Sequence, residues 1–178
     1  MNLPNKITLF RVFLIPVFVL FFLTEGIPYH NMIALAVFIL ACITDALDGR
    51  IARKHHLVTN FGKFMDPLAD KLLVCSALIC FVDRGLVNVV VILVIIAREF
   101  IISGFRLVAS DAGVVLAASY WGKAKTTVQM LMCILLILHL DFAWFTVLEQ
   151  IFIWAALLLT VISLLDYLIK NRTVLKDK

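Results

Sequence analysis

Six stretches of about 20 mainly apolar residues, separated by short polar turns, leave this chain few folds to choose from. They run Ile7 to Leu23, His30 to Arg50, Phe64 to Val82, Val87 to Val108, Gly122 to Leu140 and Trp144 to Ile169. A run of that length crosses the hydrocarbon core as a helix, because only a helix bonds all its backbone polar groups within one segment. The chain is 63% hydrophobic over 178 residues and its mean hydropathy is +1.07, which excludes an ordinary soluble domain. The expected fold is an all-α integral membrane protein of six transmembrane helices, with residues 1–178 forming a single domain.

The basic residues set the expected orientation, since Lys and Arg collect on the cytoplasmic side of a membrane. Lys6 and Arg11 flank the first helix, and Arg50, Arg53, Lys54 and Lys63 fall between the second and third. Arg106, Lys123 and Lys125 bracket the next inner connection, and Lys170, Arg172, Lys176 and Lys178 form a tail. Arg84 alone falls in an expected outer loop. Both termini are therefore expected in the cytoplasm. The net charge of +4 reports this topology and an attraction to anionic lipid, and gives no indication of nucleic acid. Cys42, Cys75, Cys80 and Cys133 lie inside apolar runs without a C-x-x-C pair, as apolar filler would. The first apolar run lacks a small-residue cleavage site, so it is expected to remain as a membrane helix and not as a signal peptide.

Against this apolar background, DALDGRIARKHHLVTNFGKFMDPLAD places four aspartates where lipid should hold none. Asp45 precedes Asp48 by three residues and Asp66 precedes Asp70 by four, so on helices each pair shares a face. A charge at bilayer depth costs roughly 2.5–3.5 kcal/mol on insertion scales. The basic residues nearby are too dispersed to neutralise four carboxylates singly. Hard oxygen donors suit Mg²⁺, Mn²⁺ or Ca²⁺, and two divalent ions match four negative charges. The stretch therefore reads as a dinuclear site at a cytoplasm-facing interface. Pro67 is expected in the first turn of the third helix, where its missing N–H does no harm.

The full spacing is D-x-x-D-G-x-x-A-R, eight residues, then G-x-x-x-D-x-x-x-D, filled by Asp45, Asp48, Gly49, Ala52, Arg53, Gly62, Asp66 and Asp70. It is similar to the signature of the CDP-alcohol phosphotransferase family, with every fixed position filled. The resemblance implies transfer of a substituted phosphate from a CDP-linked lipid to an alcohol, with CMP leaving. It further implies that Asp45, Asp48 and Asp66 hold a first ion, Mg²⁺ or Mn²⁺. Asp70 would complete a second site and act as general base. Gly49 and Gly62 let a ligand approach the backbone, and Arg53 offers a planar fork to phosphate oxygens.

Asn5, Thr8 and Arg11 recur every three residues at the start of the first helix. From spacing alone this is an interfacial amphipathic start with a snorkelling arginine. Similar N-T-R openings in the family imply the alternative, a contribution to the nucleotide side of the CDP-lipid pocket. AREFIISGFR and GKAKTTVQ resemble the branch of the family that takes glycerol 3-phosphate. The candidates for its phosphate are Thr59, Lys63, Arg98, Arg106 and Lys125, because arginines approaching a carboxylate centre in lipid need an anion. Glu99 reads equally as an internal ion-pair partner, and the adjacent His55 and His56 as a solvated loop pair. Family likeness also implies a homodimer. Competing readings are another acceptor (inositol phosphate, serine or a phosphatidyl lipid), a cation or proton transporter with metal-dependent flux, and an intramembrane prenyltransferase.

Overall fold

The computed structural model describes residues 3–24, 26–54, 60–111 and 119–171, with side chains apart from those at 3–4, 46–54, 60–64 and 110–111. Thr59, His55 and His56 lie outside the described residues, as do the side-chain surroundings of Asp48, Gly49, Arg53, Gly62 and Lys63. Among the described residues there are six helices and no strands: α1 (Leu3–Leu23), α2 (His30–Lys54), α3 (Asn60–Asp83), α4 (Val89–Asp111), α5 (Tyr120–Leu138) and α6 (Ala143–Lys170). Three of them contain segments long and apolar enough to cross a membrane: Asn5–Leu23, Tyr120–Leu138 and Ala143–Lys170.

The helices extend beyond the apolar runs at the polar ends. The second continues to Lys54, four residues past the expected Arg50, because Ile51-Ala52-Arg53-Lys54 contains good helix formers even where the apolar pattern stops. The third begins at Asn60, which puts Pro67 inside the helix and corrects the expectation of a first-turn proline. Its missing N–H removes one internal hydrogen bond, yet the helix carries on because that bond is one among many. The fourth starts two residues late, at Val89, where Asn88 caps it: its Oδ1 accepts from the Val90 N–H at 2.8 Å.

The contacts divide the chain into two compact units, Met1–Leu86 and Val87–Lys178. In the first, α1 packs on α2 and α3. Its buried stripe is Thr8, Arg11, Ile15, Phe18 and Phe22, a three-four spacing that keeps one face of a helix inward. Phe18 stacks on Phe22 (ring centroids 5.6 Å) and meets Phe38 at 5.7 Å, while Phe22 meets Phe81 edge-on at 5.6 Å. Ala34, Ala41, Ala69 and Ala77 are buried on α2 and α3, small enough for helices to approach closely. Arg84, following α3, closes the aromatic end: it donates to Asn31 Oδ1 at 2.8 Å and lies 4.9 Å over the Phe22 ring. Gly85 then turns the chain with φ +67°, a backbone region that favours glycine.

In the second unit α6 packs on both α4 and α5. The inward face of α6 carries Phe145, Glu149, Ile153, Ala156, Thr160, Ser163 and Tyr167. Ser119 caps α5, its Oγ accepting from the Gly122 N–H at 3.1 Å. His139 ends that helix in a left-handed conformation, and its ring Nδ1 lies 2.9 Å from the buried Glu149 carboxylate. Large apolar side chains such as Phe13, Leu20, Leu107, Trp144 and Trp154 face outward in both units, as lipid contact requires.

Candidate active site

At one end of the first unit's core the phenylalanine stripe gives way to charge. Continuing down α1 from Phe18 and Ile15, the next inward positions are Arg11 and Thr8, the first wholly buried and the second nearly so. Apolar surroundings oblige both side chains to find partners, and they find them on the two neighbouring helices. Arg11 Nη1 donates to Asp45 Oδ1 on α2 at 2.6 Å. Thr8 Oγ1 donates to Asp66 Oδ1 on α3, also at 2.6 Å. One helix face thus holds the leading carboxylate of each pair from the signature.

The charge is distributed unevenly. Arg11 has no exposed side-chain surface, whereas the Asp45 side chain is 42% exposed, so the carboxylate opens outward from a buried cation. Asp66 is half-buried and Asp70, one turn further along α3, is exposed. Asp70, Asp45 and Arg11 all lie within electrostatic reach of Cys42, one turn before Asp45, which ties the second member of the α3 pair to the same end of the unit. Among the described residues no group of three His, Cys, Asp or Glu side chains is close enough to hold an ion, and the Asp48 side chain is not one of those described. Asn5 is buried on the same face as Thr8. Hence the opening of α1 is no snorkelling amphipathic start: its three polar positions point into the core, and two of them meet aspartates.

The second unit holds a cluster of opposite sign. Glu99 on α4 accepts from Arg98 Nη1 at 3.0 Å, and its same oxygen, Oε1, forms an ion pair with Lys125 of α5. The Arg98 Nε donates to Ser163 Oγ on α6 at 3.2 Å, and Ser163 in turn donates to the Thr160 carbonyl at 3.0 Å. Lys125 and Arg98, both expected near an anion, are therefore brought together, with Glu99 between them. Arg106 lies two turns further along α4, about 12 Å along the axis at 1.5 Å per residue. It is exposed, with its guanidinium 5.8 Å from the Tyr167 ring centroid.

Glu99 and Ser163 complete this cluster, and Tyr167, one turn beyond Ser163 on α6, lies beside Phe105 and Arg106; none of the three was among the expected site residues. The available signal was the three-four spacing of Thr160, Ser163 and Tyr167, a polar line along an otherwise apolar helix.

The model of the CDP-alcohol phosphatidyltransferase family matches residues 1–162. The chain belongs to that family. Among curated relatives, the CDP-diacylglycerol--glycerol-3-phosphate 3-phosphatidyltransferase of Bacillus subtilis (strain 168) is 44% identical, with 98% of this chain and 97% of the relative aligned. The protein of the same name from Rickettsia bellii is 39% identical, over 93% of each chain. A probable phosphatidylglycerophosphate synthase of Mycobacterium tuberculosis is 40% identical, over 93% of this chain and 79% of its own length. Within the CDP-alcohol phosphatidyltransferases the matched region takes in the α1 opening, the aspartate signature, the Arg98–Glu99–Lys125 cluster and Thr160.

Proposed function

We propose that this protein transfers the phosphatidyl group of CDP-diacylglycerol to glycerol 3-phosphate, releasing CMP and forming phosphatidylglycerophosphate, a step of phospholipid synthesis. The observation that carries this reading is the joint between α1 and the signature: Arg11 on Asp45 and Thr8 on Asp66, in a chain aligned nearly end to end with relatives named for that reaction.

The reaction forms one P–O bond and breaks another. The primary hydroxyl of glycerol 3-phosphate attacks the phosphorus that carries diacylglycerol, CMP departs, and the hydroxyl proton goes to a base. Asp70 is assigned as that base, since it is exposed at the end of the first unit and a carboxylate accepts a proton only from a hydroxyl already oriented. Asp45, Asp48, Asp66 and Asp70 are assigned to two divalent cations, Mg²⁺ or Mn²⁺, and their all-oxygen donor set fits hard ions. When bound, such ions neutralise the charge that develops on a diphosphate as its leaving group departs. Arg11 holds Asp45 in one orientation and Thr8 holds Asp66, so the carboxylates need little reorganisation to receive them.

Asn5, Gly49, Arg53 and Gly62 are assigned to the CDP end of the donor, together with the Thr8 and Arg11 face. Thr59, Lys63, Arg98, Arg106 and Lys125 are assigned to the acceptor's phosphate. In this reading residues 1–178 act as one domain in the cell membrane, as a homodimer. Both termini and the carboxylates lie on the cytoplasmic side, where CMP leaves and the acceptor arrives.

The deciding experiment incubates the purified protein in detergent with CDP-diacylglycerol, Mg²⁺ or Mn²⁺, and separately glycerol 3-phosphate, serine, inositol phosphate or phosphatidylglycerol. CMP release is expected with glycerol 3-phosphate and is to be abolished by chelation. Release with another alcohol in preference to glycerol 3-phosphate would replace the acceptor, and metal-dependent ion flux without CMP release would replace the reaction.

A further inference from the structure

Within the second unit, two cations and one carboxylate are withdrawn from water together. The side chains of Lys125 and Arg98 are 2% and 9% exposed, and that of Glu99 is 20% exposed. Burying two positive charges requires an anion, and one carboxylate leaves the trio one charge short of neutral. Of the three, Glu99 is the most exposed. Arg98 is anchored to α6 through Ser163, and Lys125 is enclosed; Glu99 is the member with a path to solvent. Moreover, Glu99 follows Arg98 directly on α4, and adjacent helical side chains diverge, so the pair meets only by bending toward each other.

From this geometry we infer that Glu99 is a resident anion, which the acceptor's phosphate displaces from Lys125 and Arg98. The inference rests on the reading that the acceptor carries a phosphate. Before substrate arrives, Glu99 keeps the two cations charged and aimed. A phosphate dianion then supplies two negative charges where Glu99 supplied one, and more oxygens than the single Oε1 now shared. Glu99 swings toward water, the side on which it is already partly exposed. Glu99 is thus a positioning residue that sets acceptor affinity by competing with it.

Competition has a sign that a permanent structural ion pair does not. The Glu99→Gln variant removes the competitor and leaves two buried cations short of charge, so the ligand-free protein melts at a lower temperature while phosphate binding gains. Three measurements on full-length protein in detergent separate the cases: melting with and without glycerol 3-phosphate, inorganic phosphate or glycerol; KM for glycerol 3-phosphate; and KM for CDP-diacylglycerol. The expected result for Glu99→Gln is a lower melting temperature alone and a larger rise with glycerol 3-phosphate and inorganic phosphate than the wild type shows. Acceptor KM falls about three- to tenfold, a tenfold change corresponding to about 1.4 kcal/mol, with donor KM unchanged. An equal or smaller ligand-induced rise, a raised acceptor KM, or equal stabilisation by plain glycerol overturns the inference. Should Glu99→Gln fail to fold, Glu99→Asp retains the charge on a shorter stem; it is expected to shift both quantities in the same direction by less, and a raised acceptor KM there overturns the idea equally. Absence of CMP release from wild-type protein with glycerol 3-phosphate defeats the proposed reaction itself, whereas normal release with the wrong response in the variants defeats only the role of Glu99.

Discussion

The two units solve the same problem with opposite signs. In the first, carboxylates gather at the end of an apolar core and one buried arginine, Arg11, serves them; in the second, two cations gather and one carboxylate, Glu99, serves them. In each case the minority charge comes from the helix best placed to hold it. Arg11 lies on the inward stripe of α1, while Glu99 sits at the partly exposed flank of α4. The difference teaches which partner is permanent. A wholly buried arginine cannot leave without a desolvated cation remaining, so Arg11 belongs to the scaffold of its site. A carboxylate with access to water can exchange for another anion.

The widest gap between the units should appear when the majority charge is removed. Asp45→Asn, Asp48→Asn and Asp66→Asn are each expected to reduce CMP release to background while the protein still elutes as a folded species in detergent. Asparagine keeps the shape of aspartate, but Asp45→Asn also leaves the buried Arg11 guanidinium facing a neutral amide and should melt lower, so activity and stability separate most cleanly in the other two variants. Wild-type turnover by any of the three at saturating Mg²⁺ or Mn²⁺ would remove the dinuclear assignment, and failure to fold would make the cluster structural.

Neutralising the second unit should cost affinity and spare the chemistry. Arg98→Gln or Lys125→Met removes a charge-assisted hydrogen bond, about 1.5–3 kcal/mol in a buried setting. Acceptor KM is then expected to rise about ten- to a hundredfold. The KM for CDP-diacylglycerol should move little. Equal loss toward both substrates would show that the cations support the fold and are not a phosphate site, which would erase the contrast between the units.

How far each site was legible follows from this same contrast. The first announces itself because a repeated residue type at three- and four-residue spacing in apolar sequence has few explanations, and Asp45 and Asp66 fall where helical geometry requires. Its scaffold was ambiguous: Asn5, Thr8 and Arg11 fit a membrane-surface start as well as a buried face, since periodicity reports a shared face and not which way that face turns. Only the packing of α1 on α2 and α3 decides it. The second site was half legible. Arg98 and Lys125 stood out as charges in lipid, but the link that joins them, Glu99, reads as a local neighbour of Arg98. Ser163 and Tyr167 are lost in a helix whose composition is overwhelmingly apolar. The ends of α2 and α3 were misjudged for a related reason: apolarity marks where lipid stops, and helices do not stop there.

A smaller effect tests the permanence of the first scaffold. Thr8→Val removes the donor to Asp66 while nearly preserving shape, and Arg11→Met removes the donor to Asp45. Because Asp45 is 42% exposed, water can replace part of what Arg11 gave it. The loss of stability should then fall near the lower end of the roughly 1.5–3 kcal/mol expected of a hydrogen bond to a charged group. Thr8→Val, whose lost bond also ends on a carboxylate, should cost a similar amount, about 1.5 kcal/mol. Thermal melts in detergent measure both. If Arg11 is scaffold, Arg11→Met must also depress activity without changing acceptor KM selectively. A selective acceptor effect would move Arg11 to the other class.

The smallest expected effect sharpens the claim that Arg98 stays still while Glu99 moves. A Cβ added at Gly122 would lie 3.5 Å from Arg98 Nη2 and 3.5 Å from Ser119 Oγ, ordinary van der Waals distances, so Gly122→Ala fits without displacing either. Replacing glycine by alanine in a helix gains up to about 1 kcal/mol, and less in the first turn, where the residue is only partly committed. A methyl there narrows the space through which the guanidinium would swing toward α5. If Arg98 keeps its place on Ser163 throughout the cycle, Gly122→Ala should melt at the same or a slightly higher temperature, with acceptor KM and turnover within about twofold, a change worth less than 0.5 kcal/mol. A fold that is unchanged in melting but shows a tenfold rise in acceptor KM would mean that the arginine moves to meet the phosphate. The exchange would then involve the cation as well as the carboxylate, and the second unit would differ from the first in having no fixed member.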